Sequence, residues 1–444
     1  VGLLFGIVVC TAPEVRAQTT FTRQDLLTRT ALEKVGLEKF WSAVVPLNPA
    51  GERVLEVNHN LDQVYVQTNL GYLHVFDAET GRYLWGYPMG NIETDAFPIG
   101  GTSDLVVATN QFNMFAFDRK TGRLVWKVRL EDHPTSATAV SDKVSVVGLR
   151  NGKLVAYNNR EIEVPNFPSR SPGKFAWNYQ TNAQVTARPI VAERIAAFAS
   201  QDGKVYVTLY DQKKLLYRFK TGGPISGSMG THGTRTLIVP SEDNLLYAVD
   251  LFTGETKWSV ATGSPIKDEP LVAGDTAFVV NDRGIFFSVD IPSGNVNWQV
   301  PTRNAHLIAV SPTRLYVQSA ERDLAIADRA TGRVLMSPRE TLEQAGLNLR
   351  NFTIGETNHD NDRIYLSTPT GMLVALRELG ATAPAPLYDA KQPPFGTFPA
   401  DLAKFTPPQS EKAPPVDQSI EVKPEREPAD EPVPPGDVPP PDQP

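Results

Sequence analysis

From residue 38 to 378, apolar residues alternate with polar ones in short runs, and Gly, Asp and Asn break the runs apart. A period of two with turn residues between is the pattern of half-buried β-strands. Thr236-Leu-Ile-Val239, Leu246-Tyr-Ala-Val249 and Lys257-Trp-Ser-Val260 are three successive examples. A shorter apolar stretch before the first supplies a fourth strand. Periodicity of this kind predicts four-stranded antiparallel units, one after another along the chain.

The units repeat. Asp77-x-x-Thr80-Gly81-x-x-x-Trp85 recurs as Asp118, Thr121, Gly122 and Trp126, and as Asp250, Thr253, Gly254 and Trp258. It recurs again as Asp290, Ser293, Gly294 and Trp298, and as Asp328, Thr331 and Gly332 with Met336 closing the motif. Successive glycines are 41, 132, 40 and 38 residues apart. The long gap has room for two degenerate copies, ending at Trp177 and Tyr217, with a Pro/Asn-rich insertion at 158–172. Seven copies with a period near forty, each of four strands, predict an all-β radial array, a β-propeller.

An eighth unit is incomplete at one end. Residues 363–367 and 372–376 form strand signals with no Thr-Gly and no terminal Trp after them, whereas Phe40 and Trp41 carry the terminal-strand pattern with no strands before them. The N-terminal strand is therefore expected to close the eighth blade, with Trp41 near Leu373.

Within the motif, glycine supplies the positive φ of a tight turn, and the Asp and Thr side chains bond the turn amides. The tryptophans, repeated at one phase, suit packing against the neighbouring blade. The motif resembles the tryptophan-docking repeat of quinoprotein-type propellers. That family includes pyrroloquinoline quinone (PQQ) alcohol dehydrogenases and the propeller lipoprotein of the outer-membrane β-barrel assembly machinery. The resemblance spans 38–378 and implies the fold; members with and without cofactor share the motif.

Composition narrows the chemistry. Of 37 prolines, 18 lie in 381–444, which also holds eleven acidic and five basic residues out of a net charge of −7. The body is near neutral and lacks the basic excess of a nucleic-acid binder. The single cysteine, Cys10, excludes a disulfide framework and a Cys-based metal cluster. The resemblance implies, for a dehydrogenase, adjacent cysteines beside the quinone and a calcium held by Glu, Asn and Asp. No such cysteines and no matching constellation occur in the propeller, so no cofactor is expected; PQQ with calcium belongs only to the rival reading.

Charged residues entering the innermost strands point to a wet central funnel, since burying them unpaired is costly. Asp95 and Lys267 align at one phase, followed by Arg188, Asp268, Glu269 and His306. They are ligand or partner candidates, or else simply pair with one another. His59, His232 and His359 share a phase at the first-to-second strand turn and read as turn or surface histidines.

The flanks complete the layout. Residues 1–9 are uniformly apolar and read as an export signal cleaved after Ala17, which assigns 1–17 to a signal peptide. Cys10 offers a second route, lipid attachment. Residues 18–37 form a helical lead, with a capping box at Thr22 and Asp25. Residues 338–349 also have helical character. Residues 379–444, rich in Pro and acid, are expected to be disordered, with Phe395, Phe398 and Phe405 either a docking segment or incidental to a linker.

The resulting expectation is an exported, monomeric, eight-bladed propeller of four-stranded blades, without enzymatic activity. It would serve as a protein-binding scaffold in the periplasm or cell envelope, with envelope proteins as partners and, by resemblance, a role in outer-membrane protein assembly. Association with the outer membrane would run through a lipid anchor or a partner. The rivals are a divergent PQQ-dependent dehydrogenase and a small-molecule or glycan binder using the funnel.

Overall fold

The computed structural model describes residues 27–397 apart from 91–95, 165–166, 212–213, 303–305, 354, 356 and 390. The signal segment, Thr22, Asp25, Asp95, Phe398 and Phe405 lie outside the described residues. Eight β-sheets follow one another as the blades of a propeller. Blades one to seven occupy 54–88, 100–129, 139–180, 190–220, 230–261, 271–301 and 306–336, each with four antiparallel strands in chain order. The insertion in blade three forms a separate two-stranded hairpin, Ile162–Val164 with Phe167–Arg170.

Blade eight closes the ring. Leu37–Val44 pairs antiparallel with Met372–Glu378, which pairs with Ile364–Ser367. Trp41 stands opposite Ala375 and Ala43 opposite Leu373, so the N-terminal strand supplies the outer strand as its sequence predicts. Among the described residues this blade has three strands. A turn fills the place before Ile364, where the Asn358 carboxamide oxygen accepts from the amides of Asp360 and Asn361.

The core lies between blades, and period two explains it. Val64 and Val66 pack with Phe76, Tyr365, Leu373 and Trp41 on the blade-eight side. Tyr65, between them in sequence, faces the other way and packs with Val106, Phe115 and Phe117 of blade two. The second strand of the blade, Gln63–Thr68, is thus buried on both faces, whereas the outer strand Leu124–Arg129 alternates covered and exposed positions.

The motif residues are the joints. Asp77 Oδ1 accepts from the Thr80 amide at 2.8 Å and its hydroxyl at 2.7 Å; Asp118–Thr121 and Asp328–Thr331 repeat both bonds, and Asp290–Ser293 does so through Oδ2. In blade five Asp250 Oδ1 takes the amides of Phe252 and Thr253 but not the Thr253 hydroxyl, its other oxygen being held by Arg235. At five joints the large side chain of the outer strand covers the turn glycine of the next blade. Trp41 covers Gly81, Trp85 covers Gly122, Tyr217 covers Gly254, Trp258 covers Gly294 and Trp298 covers Gly332. These glycines have φ near +70°, and a Cβ on any of them would sit about 2.5 Å from the ring above. Positive φ and the close approach both require glycine here. Each ring also bonds the turn: Trp85 Nε1 to the Arg119 carbonyl, Trp258 to Ile291 and Trp298 to Arg329.

Two joints are irregular. Trp126 lies on Gly173 of the insertion, and Trp177 stacks on Tyr210, where blade four lacks the glycine turn. Both indole N–H groups are buried without a partner. Between blades seven and eight there is neither Trp nor Thr-Gly. Helix α1 (Arg29–Lys34), capped by Thr28, and the link after helix α2 (Pro338–Glu343) fill the gap. Leu27, Leu32, Val35, Leu347, Leu349 and Phe352 pack there with Met336.

The segment after 380 departs from its sequence expectation as far as 397. Leu387 is buried, its amide donates to the Asp360 carbonyl, and its carbonyl accepts from Gly274. Phe395 packs among Ile190, Leu209 and Met229, and the Gly396 amide donates to Thr234. Two apolar anchors suffice to seat a stretch whose average composition is that of a disordered chain.

Candidate functional site at the channel mouth

The innermost strands end around a cavity of about 670 Å³ at the end of the channel where the first-to-second strand turns lie. Its walls carry glycine and apolar residues, among them Gly100, Ala139, Ile190, Gly230 and Val272, and residues 387–389 and 392–395 line its opening. Arg188 and Glu269, from blades four and six, reach into it.

These two side chains meet across the channel, Arg188 Nη2 lying 2.7 Å from Glu269 Oε1. The pair skips blade five, so its attraction ties non-adjacent blades. His359, from the turn that opens blade eight, places Nδ1 3.8 Å from the same Glu269 oxygen. Next to it Asp360 accepts from the Leu61 amide at 3.0 Å and lies 3.2 Å from His59 Nδ1. His59 stacks on Tyr365 with ring centres 5.0 Å apart. A polar chain thus runs across the mouth from blade four through six and eight to blade one.

Burial pushes the Glu269 carboxyl up, but the charge of Arg188, that of His359 in its protonated form, and hydrogen bonds from Arg188 and Ser228 outweigh it and hold the group below the ordinary carboxylate range. Asp360 behaves likewise through His59 and the Leu61 amide. Burial holds the His359 imidazole below its usual value, against the pull of Glu269. The mouth therefore carries ionised carboxylates, a guanidinium and a neutral His359 at pH 7.

Of the remaining funnel candidates, Lys267 binds Asp282 at 2.5 Å, Asp268 is exposed, and His306 lies 3.1 Å from the Thr357 hydroxyl. None of the three lines the cavity. His59 proves buried rather than a surface histidine, its side chain only 4 % exposed. His232 pairs with Asp275 at 2.8 Å on the cavity rim. Charges at off-period positions were the signal that found Arg188 and Glu269. Asp360 and the crossing segment carried no such signal, because one sits in a turn and the other in a proline-rich stretch.

A quinone with calcium does not fit this donor set. Carboxylate ligands would have to come from Glu269, Asp275, Asp360 or Asp389, and each already faces a cation, a histidine or an amide. Among the described residues no group of three or more His, Cys, Asp or Glu side chains is placed to hold a metal ion. No helix among them is long and apolar enough to cross a membrane.

Structures with the same ring are known. BamB from Moraxella catarrhalis superposes with a TM-score of 0.59 at 16% identity, covering 77% of this chain and 97% of that one. The computationally designed protein Ika8 gives 0.54 at 14% identity, covering 76% and 99%. The quinohemoprotein alcohol dehydrogenase ADHIIG from Pseudomonas putida HK5 gives 0.54 at 12% identity, covering 81% and 78%. No curated protein matches the chain by sequence. The family model described as outer membrane protein assembly factor BamB matches residues 112–215 and 204–378, and the chain belongs to that family of PQQ-like propellers.

Proposed function

We propose that this propeller is a non-catalytic docking scaffold of the cell envelope, acting in the assembly of outer-membrane proteins. The observation that carries this reading is the channel mouth. Its charged groups are paired across the ring, through Arg188–Glu269 and His59–Asp360, leaving a shaped surface with no reactive donor set. Membership in the BamB family supports envelope proteins as the partners, with the chain exported to the periplasm. The motif residues Asp77, Thr80, Gly81 and Trp85, with their repeats, act as blade joints and Phe40 and Trp41 as the closure. Affinity purification of the tagged chain from solubilised envelopes tests the proposal. Co-purification of outer-membrane assembly proteins is expected; PQQ- and calcium-dependent alcohol oxidation by the purified chain would overturn it in favour of the dehydrogenase.

A further inference from the structure

The segment crossing the channel mouth is held at two points. Leu387 is buried in the cluster of Leu271, Phe278 and Leu307, and Phe395 sits in that of Ile225, Met229 and Leu251. Gly396, at φ +75°, fits against Ala192 so tightly that a Cβ would lie 2.2 Å from that methyl. Backbone bonds at Gly274 and Thr234 add to each anchor. Between the anchors, Tyr388 is 55 % exposed, and Asp389, Lys391, Gln392, Pro393 and Pro394 are exposed as well. Among its described residues the span bonds itself there, through Asp389 to the amides of Lys391 and Gln392. One buried and one half-buried side chain against the ordering of a whole strap make a shallow minimum. The surface beneath is already cut for a turn-containing, proline-containing segment with two apolar anchors.

We propose that the strap of 386–389 and 391–396 is an intramolecular ligand of a peptide-docking surface at the channel mouth, and that a partner protein's proline-containing segment with two apolar anchors at the same spacing displaces it. Backbone bonds combined with spaced apolar pockets are a common mode of peptide capture. The strap raises the threshold for the partner, because only a segment that outcompetes a tethered one gains the surface. The identity of the competitor as an envelope protein rests on the scaffold reading; the docking of the strap does not, and is measured on the purified chain alone.

A fluorescein-labelled peptide spanning residues 382–397 is titrated by anisotropy onto the full chain and onto two full-length variants, Gly396→Val and Leu387→Asp. The variants act at opposite anchors, so misfolding of one, checked by circular dichroism, leaves the other. Binding at least tenfold tighter to the variants than to the wild type is expected, with loss when the peptide carries Phe395→Ala. Trypsin should also cut after Lys391 faster in both variants. Equal binding to wild type and variants, no binding to either variant, or an unchanged cleavage rate would each overturn the proposal. Failure here with envelope proteins still co-purifying would leave the scaffold reading standing and remove only the strap.

Discussion

The Trp41 indole covers Gly81, whose Cβ, were there one, would sit 2.5 Å from the ring, and Trp41 Nε1 donates to the Ala78 carbonyl at 2.8 Å. Trp41 belongs to the blade completed by the N-terminal strand, and Gly81 to the first blade. The contact is thus the joint by which the ends of the ring meet. Phe40 beside it is covered by the guanidinium groups of Arg363 and Arg377, each 5.2 Å from the ring centre, and Arg363 is fully buried against Asp362.

Trp41→Ala should therefore cost about 3–5 kcal/mol, the range for emptying a buried aromatic site. Gly81→Ala should also destabilise, through strain at φ +69° and collision with the indole. The double variant should lose less than the sum, since removing the indole frees the space the new methyl needs. Urea midpoints of the four proteins check this; additive losses would show that the two residues do not meet.

Replacing indoles by Phe should separate the regular joints from the irregular ones. Trp85→Phe and Trp258→Phe each remove a bond to a carbonyl and should cost about 1 kcal/mol beyond the change in packing. Trp126→Phe and Trp177→Phe remove N–H groups that have no partner and should cost less. Thermal midpoints of the four variants compare them directly.

His74, buried and stacked on Tyr72, has its pKa lowered by burial to about 4. In the unfolded chain it titrates near 6.5, so between those values the unfolded state binds the proton and stability falls as pH drops. A shift of this size corresponds to about 3 kcal/mol lost by pH 4. His74→Phe should flatten the decline in urea midpoint from pH 7 to 5 relative to the wild type.

Glu269 shifts in the same direction for a different reason. Its depressed pKa means that its contribution is present above the ordinary carboxylate range and is lost as pH falls through the folded value. Arg188→Ala leaves burial to push the group up, so the penalty should be larger at pH 7 than at pH 4. Urea midpoints at the two pH values measure the difference; an equal penalty would mean that Arg188 acts through packing alone.

Much of this could be read along the chain. Alternation, the Thr-Gly turn and the terminal Trp are local signals, and Trp41 without preceding strands left only one place for the closing strand. Arg119 was illegible: it follows the motif Asp, yet it is buried and reaches back to Asp62 and Asn60 of the previous blade. Such a contact depends on how two repeats stack, which periodicity within one repeat does not encode. Arg188 and Glu269 were visible as charges in an apolar phase that either meet a ligand or pair with one another, but which charge meets which was not, because the channel and not the sequence brings them together. In the proline-rich stretch two anchors, Leu387 and Phe395, are diluted among residues that bury nothing.

The central claim, that the channel mouth is a protein-docking face, is tested most directly by a photo-crosslinking amino acid placed at Asp275. Its side chain on the cavity rim is 71 % exposed. Val125, exposed on an outer strand, serves as the control position. The account predicts a crosslink from position 275, and none from 125, to an outer-membrane assembly protein in intact envelopes. Equal crosslinking from both positions, or none from 275, would contradict it.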